Sequence, residues 1–274
     1  MGPELDRYLA DVCAEVEAEL DRRLPQPADD PLRLWEACRY AMLGGGKRLR
    51  PAVLFAAGEA VGGARDDATL AAACALEAVH GYSLVHDDLP CMDDDDVRRG
   101  QPTVHCAFGE SCALLCGDAL LTIAFEWLAE AGLASERPAV FVRAVRVLAE
   151  CSGAHGMVGG QALDLAVADH ALTVPETEAL AHQKTAALFR AAALLGGLLG
   201  GGDEAALDAL ERYGEALGVA FQHRDDLIDQ SHPDVELGQR ARLTELCATA
   251  RNKVERFGPR GAMLRALAEA IATV

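Results

Sequence analysis

From Glu4 to Leu24, apolar residues recur every three or four positions, with Leu5, Leu9, Val12, Val16 and Leu20 on one stripe and charges between them. That spacing predicts an amphipathic helix with one face turned to a core. Pro25, Pro27 and Pro31 punctuate the next connection, and a second helix is predicted from Trp35 to Leu43, stopping at Gly44-Gly45-Gly46. Pro51 to Gly62 and Ala68 to Leu89 then read as long helices rich in Ala and Leu. Pro90 ends the second of them, because proline denies the chain its next helical hydrogen bond. Further helices are predicted over 111–130, 137–151, 155–168 and 175–199. A glycine-rich turn from Gly196 to Gly202 leads to one more, and no short internal repeat is present.

Composition agrees with helices throughout. Of 274 residues, 51 % are hydrophobic and only 5 % aromatic, which suits closely packed helices better than a β-sandwich. No Pro/Gly/Ser-rich linker divides the chain, so a single all-α domain over 1–274 is expected. The net charge of −18, from 43 acidic and 25 basic side chains, argues against nucleic acid or anionic lipid as a partner. No signal segment is read at the start, and no uncharged apolar run reaches the roughly 18 residues of a membrane span. The nine cysteines are scattered, with Cys112 and Cys116 the one close pair of note. They read as buried small residues in a reducing compartment, and a cytoplasmic location is expected.

The charges themselves are clustered. Between Tyr82 and His105 the chain reads YSLVHDDLPCMDDDDVRRGQPTVH, with six aspartates and two arginines after an apolar run. So many carboxylates beside a core require a counter-charge. Their hard oxygens suit Mg²⁺, which binds through one or two carboxylates plus substrate phosphates. Arg98 and Arg99 offer forked donors to those phosphates. On an unbroken helix Asp93 would lie some 240° around from Asp87, at about 100° per residue. The break at Pro90 allows it to return. Downstream, Asp225 and Asp229 in FQHRDDLID share a helix face with Gln222 one turn earlier. Either run alone is as readily a solvated surface; two facing helix ends can hold a diphosphate through bridging metal ions. Gly44 to Pro51 reads GGGKRLRP. It fails as a Walker loop, having Ala41 and Arg48 where Gly and Ser/Thr are needed. A helix-ending turn with exposed charges remains its other reading.

In order and spacing, these stretches resemble the all-trans isoprenyl diphosphate synthases, the polyprenyl synthetase family, and among them the bacterial farnesyl diphosphate synthases. The resemblance runs over residues 35–230. The family's first aspartate-rich motif matches Asp87, Asp88 and Asp93, in the form with four intervening residues, and its second matches Asp225, Asp226 and Asp229. GGGKRLRP, His80, Gly160-Gln161-Ala162-Leu163-Asp164, Lys184-Thr185 and Phe221-Gln222 match as well.

The resemblance implies an all-α isoprenoid-synthase bundle with a large central cavity, a homodimer, and three Mg²⁺ with bound diphosphate. The implied reaction is head-to-tail condensation of isopentenyl diphosphate with dimethylallyl or geranyl diphosphate. Asp87, Asp88, Asp93, Asp225, Asp226 and Asp229 would hold the metal. Arg98, Lys184, Thr185 and Gln222 would serve the allylic diphosphate, and Lys47, Arg50, His80 and Arg99 the isopentenyl diphosphate. Asp87, Asp88, Arg98, Lys184 and Asp225 would carry catalysis. Tyr82 and Ser83 stand about one helical turn before Asp87, roughly 6 to 7.5 Å along the axis. In the family, an aromatic residue there, with the two-residue insert, points to the fifteen-carbon farnesyl product. Geranylgeranyl and geranyl diphosphate are the alternatives, and an ordinary core tyrosine is the plainer reading of Tyr82.

After Asp229 the likeness fades. Gly238-Gln239 stands where the family has a Gly-Lys pair, and a second Gly-Lys-Ser/Thr element is missing from a shortened C-terminal region. Losing one fixed electrostatic contact can cost roughly 100- to 1000-fold in rate. A slower or specialised enzyme with a weakly closing C-terminal lid is expected, with Arg240 or Arg242 as replacement cations. Two rivals stand beside it. A class I terpene cyclase would have no use for the isopentenyl contacts, and a non-catalytic partner subunit would not need both aspartate motifs.

Overall fold

A computed structural model describes residues 2–26, 33–167, 174–229 and 233–273, with side chains for all of these except 167, 174, 175, 229 and 233–238. Helix α1 (Pro3–Arg23) buries Leu5, Val12, Val16 and Leu20, the stripe set by its sequence. Helices α2 (Leu34–Leu43), α3 (Leu49–Val61) and α4 (Asp67–Asp87) follow. The start of α4 is fixed locally: the Asp66 carboxylate accepts from Thr69 N–H at 2.8 Å while the Thr69 hydroxyl accepts from Asp66 N–H at 2.8 Å. This reciprocal capping satisfies two donors that a helix start otherwise leaves open.

A short antiparallel hairpin, β1 (Val97–Arg98) and β2 (Gln101–Pro102), pairs Val97 with Pro102 and Arg98 with Gln101. It was not legible as strand. Helices α5 (Val104–Phe108), α6 (Glu110–Ala134), α7 (Pro138–Ser152) and α8 (Met157–Val167) come next. The single helix expected over 175–199 is instead α9 (Val174–Ala181), a π-helical turn (His182–Ala186) and α10 (Ala187–Leu199). Helix α11 (Glu204–Asp229) carries the second acidic cluster. After it come α12 (Pro233–Lys253), a 3-10 stretch (Glu255–Gly261) and α13 (Ala262–Ala272).

The packing is organised around α4 and α10. Helix α4 lies against α6 and α3, and α10 against α3, α7 and α11. Apolar residues cover most of the surface of both, as they do on helices enclosed by others. Each fully buried leucine or phenylalanine of this core, such as Leu76, Leu120 or Phe189, contributes roughly 1.5–3 kcal/mol. Tyr213 of α11 is completely buried, and its hydroxyl donates to the Leu264 carbonyl of α13 at 2.7 Å. That bond satisfies the hydroxyl and fixes α11, hence the acidic cluster at its end. By length and composition alone, and with up to two charges allowed in the window, α4 and α6 are each long and apolar enough to cross a membrane. The most apolar window of α4 is 67 % buried among other helices, the position of a core element.

Candidate active site

The end of α4 sets the first acidic group. Past Asp87 the chain turns back on itself: Met92 N–H donates to the Leu89 carbonyl, and Asp93 N–H to the Asp87 carbonyl, both at 2.8 Å. Asp94 takes a left-handed conformation, φ 54°, that completes the turn. Asp93 therefore returns to Asp87, as the break at Pro90 suggested. Burial pushes the Asp87 carboxyl up to about 6, and the neighbouring Asp93 and Asp88 act in the same direction against Lys184 and Arg98. Asp88 is placed differently. It is buried, and both its oxygens accept from Arg98, at 2.5, 2.8 and 2.9 Å. Asp94, Asp95 and Asp96 are exposed.

A basic group faces this cluster. Gly45 and Gly46 have φ of 87° and 148°, conformations open to glycine, and a Cβ on Gly46 would meet the Arg99 guanidinium at 3.2 Å. The Arg99 Nη1 donates to the Gly45 carbonyl. The three cations of GKRLR then diverge. Arg48 is a core residue: it is buried, and it donates to Glu77 at 2.7 Å and to the Met42 carbonyl at 2.6 Å. Arg50 lies over the Phe189 ring, 4.9 Å from its centroid, with Nε buried and unpartnered. Burial lowers its guanidinium to about 10. His80 is pushed well below the ordinary imidazole range by burial and by Arg50, Arg99, Arg48 and Arg98. With Arg48 paired to Glu77 and Arg98 to Asp88, Arg50 and Arg99 beside a neutral imidazole leave positive potential for an anion. Lys47 does not join them. It is exposed and lines a neighbouring cavity of about 320 Å³ with Arg224 and apolar residues of α1 and α13.

The π turn supplies the third wall. Its extra residue bulges the helix at Lys184 and Thr185, a distortion common at functional positions. Gly160 of α8 fits beneath it, since a Cβ there would lie 2.4 Å from Lys184 N. The Lys184 ammonium donates to Asp164 at 2.5 Å. The Thr185 hydroxyl donates to Gln222 Oε1 at 2.6 Å, and Gln222 Nε2 to Asp226 at 2.8 Å. Thr185 and Gln222 thus orient Asp226. Asp225 lies within the field of Arg50. The side chain of Asp229 is outside the described residues.

Arg50, His80, Tyr82, Ser83, Asp87, Gln161, Lys184 and Thr185 line one cavity of about 380 Å³, with Met92, Met157, Val158 and Leu165 as its apolar surface. The Tyr82 ring is buried and meets the His86 ring edge-on, 5.8 Å between centroids at 79°. His86 is wedged into the space left by Gly117, where a Cβ would come within 2.0 Å of the ring, and it lies 2.9 Å from the Leu114 carbonyl. The Tyr82 ring is therefore braced, through His86, from α6. The Ser83 hydroxyl is spent on the His80 carbonyl, 2.9 Å away in its own helix. Sequence reasoning missed His86; its signal was an imidazole directly beside Asp87. It named Gln161 as polar, and both side-chain polar atoms of Gln161 are buried without a partner. Arg98 and Arg99 line an adjoining cavity of about 400 Å³ with His80 and Asp88.

Beyond α11, Arg242 does not act as a replacement cation. It donates to Glu178 and to Glu245, each at 2.8 Å, and so ties α12 to α9. Gly238 is outside the described side chains; Gln239 is half-buried and uncharged.

A divalent cation fits the acidic group. A carboxyl pushed up to about 6 mainly by burial, with adjacent carboxylates adding to it, is one whose ionised form needs a positive neighbour. Asp87, Asp93, Asp225 and Asp226 offer the all-oxygen donors that Mg²⁺ takes. Asp88 does so only by giving up Arg98.

Fold and site together suit a protein that binds diphosphates beside an apolar cavity. A sequence model of polyprenyl synthetases matches residues 32–243, and the chain belongs to that family. It is 47 % identical over 219 residues to geranylgeranyl pyrophosphate synthase 12, chloroplastic, of Arabidopsis thaliana, covering 78 % of this chain and 60 % of that one. It is 41 % identical to the heterodimeric geranylgeranyl pyrophosphate synthase large subunit 2 of the same plant, covering 89 % of this chain and 64 % of that one. The chain thus spans 60 to 64 % of the length of these relatives. Its structure superposes on the apo crystal structure of an FPP/GFPP synthase from Zymomonas mobilis with a TM-score of 0.92, over 100 % of both chains at 39 % identity. The all-α isoprenoid-synthase fold is the one expected.

Proposed function

We propose that this protein is a Mg²⁺-dependent prenyltransferase that joins isopentenyl diphosphate head to tail to dimethylallyl or geranyl diphosphate and releases farnesyl diphosphate. The observation that carries the reading is the shared cavity. Asp87 and Lys184, Arg50 and His80, and the Tyr82 ring are all among the residues that enclose it. Asp87, Asp93, Asp225 and Asp226 would hold the metal, which when bound supplies positive charge to the departing diphosphate. Lys184 adds a fixed cation there, and Arg98 stands across Asp88. Arg50, His80 and Arg99 receive isopentenyl diphosphate so that its double bond faces the allylic carbon. As the allylic C–O bond breaks, the double bond attacks that carbon. A proton leaves the new chain for the departing diphosphate, so no side-chain base is required. Fixing both substrates removes the entropic cost of their encounter from the chemical step.

The fifteen-carbon product rests on Tyr82, whose ring is braced by His86 and Gly117. A twenty-carbon product is the second reading, favoured by the names of the plant relatives. A homodimer belongs to the proposal and is supported by exposed Leu114 and Leu115 on α6. A reducing compartment is part of the proposal, in keeping with cysteines that form no disulfide among the described residues. The test is product analysis with Mg²⁺, isopentenyl diphosphate and, separately, dimethylallyl, geranyl and farnesyl diphosphates. A fifteen-carbon diphosphate is expected from the first two. Hydrocarbon or alcohol from farnesyl diphosphate alone would point to a cyclase, and no consumption by the folded protein to a partner subunit.

A further inference from the structure

The turn that follows the aspartate-rich loop gathers three side chains that the condensation does not use. Asp96 stands before β1 and Thr103 after β2, and Thr103 N–H donates to the Asp96 carbonyl at 3.0 Å. The hairpin therefore folds Asp96 back onto His105 and Cys106 at the start of α5. Asp96 Oδ1 lies 3.3 Å from Cys106 Sγ, which is 3.8 Å from either ring nitrogen of His105. One ligand atom from each of the three lies within 4.8 Å of the others. A tetrahedral zinc ion, with bonds of about 2.3 Å to sulfur and about 2.0–2.1 Å to nitrogen and oxygen, sets neighbouring ligand atoms about 3.5 Å apart. The two observed separations bracket that value.

His105 adds an independent sign. Its Nε2 lies 2.9 Å from the Asp95 carbonyl oxygen, and only a ring N–H can make that bond. The proton is thereby assigned to Nε2, leaving the Nδ1 lone pair free to bind. Metal-ligating histidines are held in this way by a carbonyl on their other nitrogen. Asp96 and Cys106 are exposed, so an ion can enter and a fourth position faces solvent. Thiolate and imidazole select zinc and its neighbours over magnesium, whereas the carboxylates at the cavity do the reverse.

We propose that Asp96, His105 and Cys106 form a site for a thiophilic divalent cation of the zinc class, separate from the aspartates at the cavity, that pins the hairpin bearing Arg98 and Arg99 to α5. The experiment uses the full chain, stripped of metal, in excess Mg²⁺ to occupy the oxygen ligands, and titrated with Co²⁺ and then Zn²⁺. Equimolar cobalt should give a thiolate charge-transfer band and the visible bands of a four-coordinate ion, both displaced by zinc. Both should be lost in Cys106→Ser and His105→Gln, whose folding is checked by circular dichroism. In parallel, thiol alkylation is mapped by mass spectrometry. Zinc should protect Cys106 and leave the exposed Cys91 reactive. A spectrum of six-coordinate, oxygen-ligated cobalt only, bands that persist in Cys106→Ser, or equal alkylation of Cys106 with and without zinc would overturn the proposal.

Discussion

Replacing Asp87 by asparagine should stabilise the metal-free protein while abolishing its turnover. Burial is the main cause that lifts this carboxyl from its ordinary 3.8 to about 6. Above that pH the folded protein must hold an ionised group in poor solvent, whereas the unfolded chain holds it in water. At about 1.4 kcal/mol per pH unit, the rise corresponds to about 3 kcal/mol. The folded state keeps its proton to higher pH than the unfolded state, so stability falls as pH rises from about 4 to about 6 and stays lower above it. Below about pH 4 both states are protonated and the penalty vanishes. Asparagine carries no charge, so near neutral pH and above the variant should melt roughly 5 °C or more higher, at about 2–4 °C per kcal/mol for a chain of this size. The assay is calorimetry or dye-monitored melting in chelator across this range, repeated with Mg²⁺ and inorganic diphosphate. Ligand should reverse the order, because it binds only the folded wild type well. If Asp87→Asn melts at or below wild type in chelator at alkaline pH, or keeps its advantage unchanged in acid, the carboxylate is not under strain. The argument for a metal at this position then fails.

Tyr82→Ala should lengthen the product, at a cost of about 3 kcal/mol in stability for a buried ring removed; an unchanged product distribution by chromatography would remove Tyr82 from that role. Arg98→Met leaves the Asp88 carboxylate buried without its partner and should lower unfolding stability in urea by about 3–5 kcal/mol. The double variant with Asp88→Asn should recover most of this, and a loss under about 1 kcal/mol in the single variant would show that the pair does not hold the hairpin. Gly160→Ala drives a methyl into the Lys184 backbone, and should cost about 1–3 kcal/mol and most of the allylic turnover. Wild-type kinetics in a folded Gly160→Ala protein would contradict the close fit of α8 to the π turn.

The amphipathic stripe of α1, the stops at Gly44 and Pro90 and the two acidic runs were legible because each depends on neighbours within a turn or two. The return of Asp93 to Asp87 was legible for the same reason. The fates of Lys47, Arg48 and Arg50 were not. Lys47 and Arg50 read as phosphate-facing cations with Arg48 between them, yet Lys47 turns to another cavity, and Arg48, for which no role was read, pairs with Glu77, 29 positions away. Which way each points follows from positive φ at Gly45, Gly46 and Arg48 and from partners on α4. The pairing of Asp88 was not legible either: its spacing suggests a metal ligand, and its oxygens accept from Arg98. Arg242, suggested as a spare cation, was claimed by Glu178, 64 positions earlier. Long-range ion pairing of this kind has no local signature.

The π turn at His182–Ala186 has an implication for chain length. It amounts to one surplus residue carried inside an otherwise regular helix. Deleting a single residue between Ala181 and Ala187 would let α9 run straight into α10, whose buried face could keep its place. Lys184 or Thr185 would then swing by about 100° around the axis, away from the cavity. At this one place the protein should survive a shortening better than the reaction does. A folded, inert molecule differing by one residue would be the outcome.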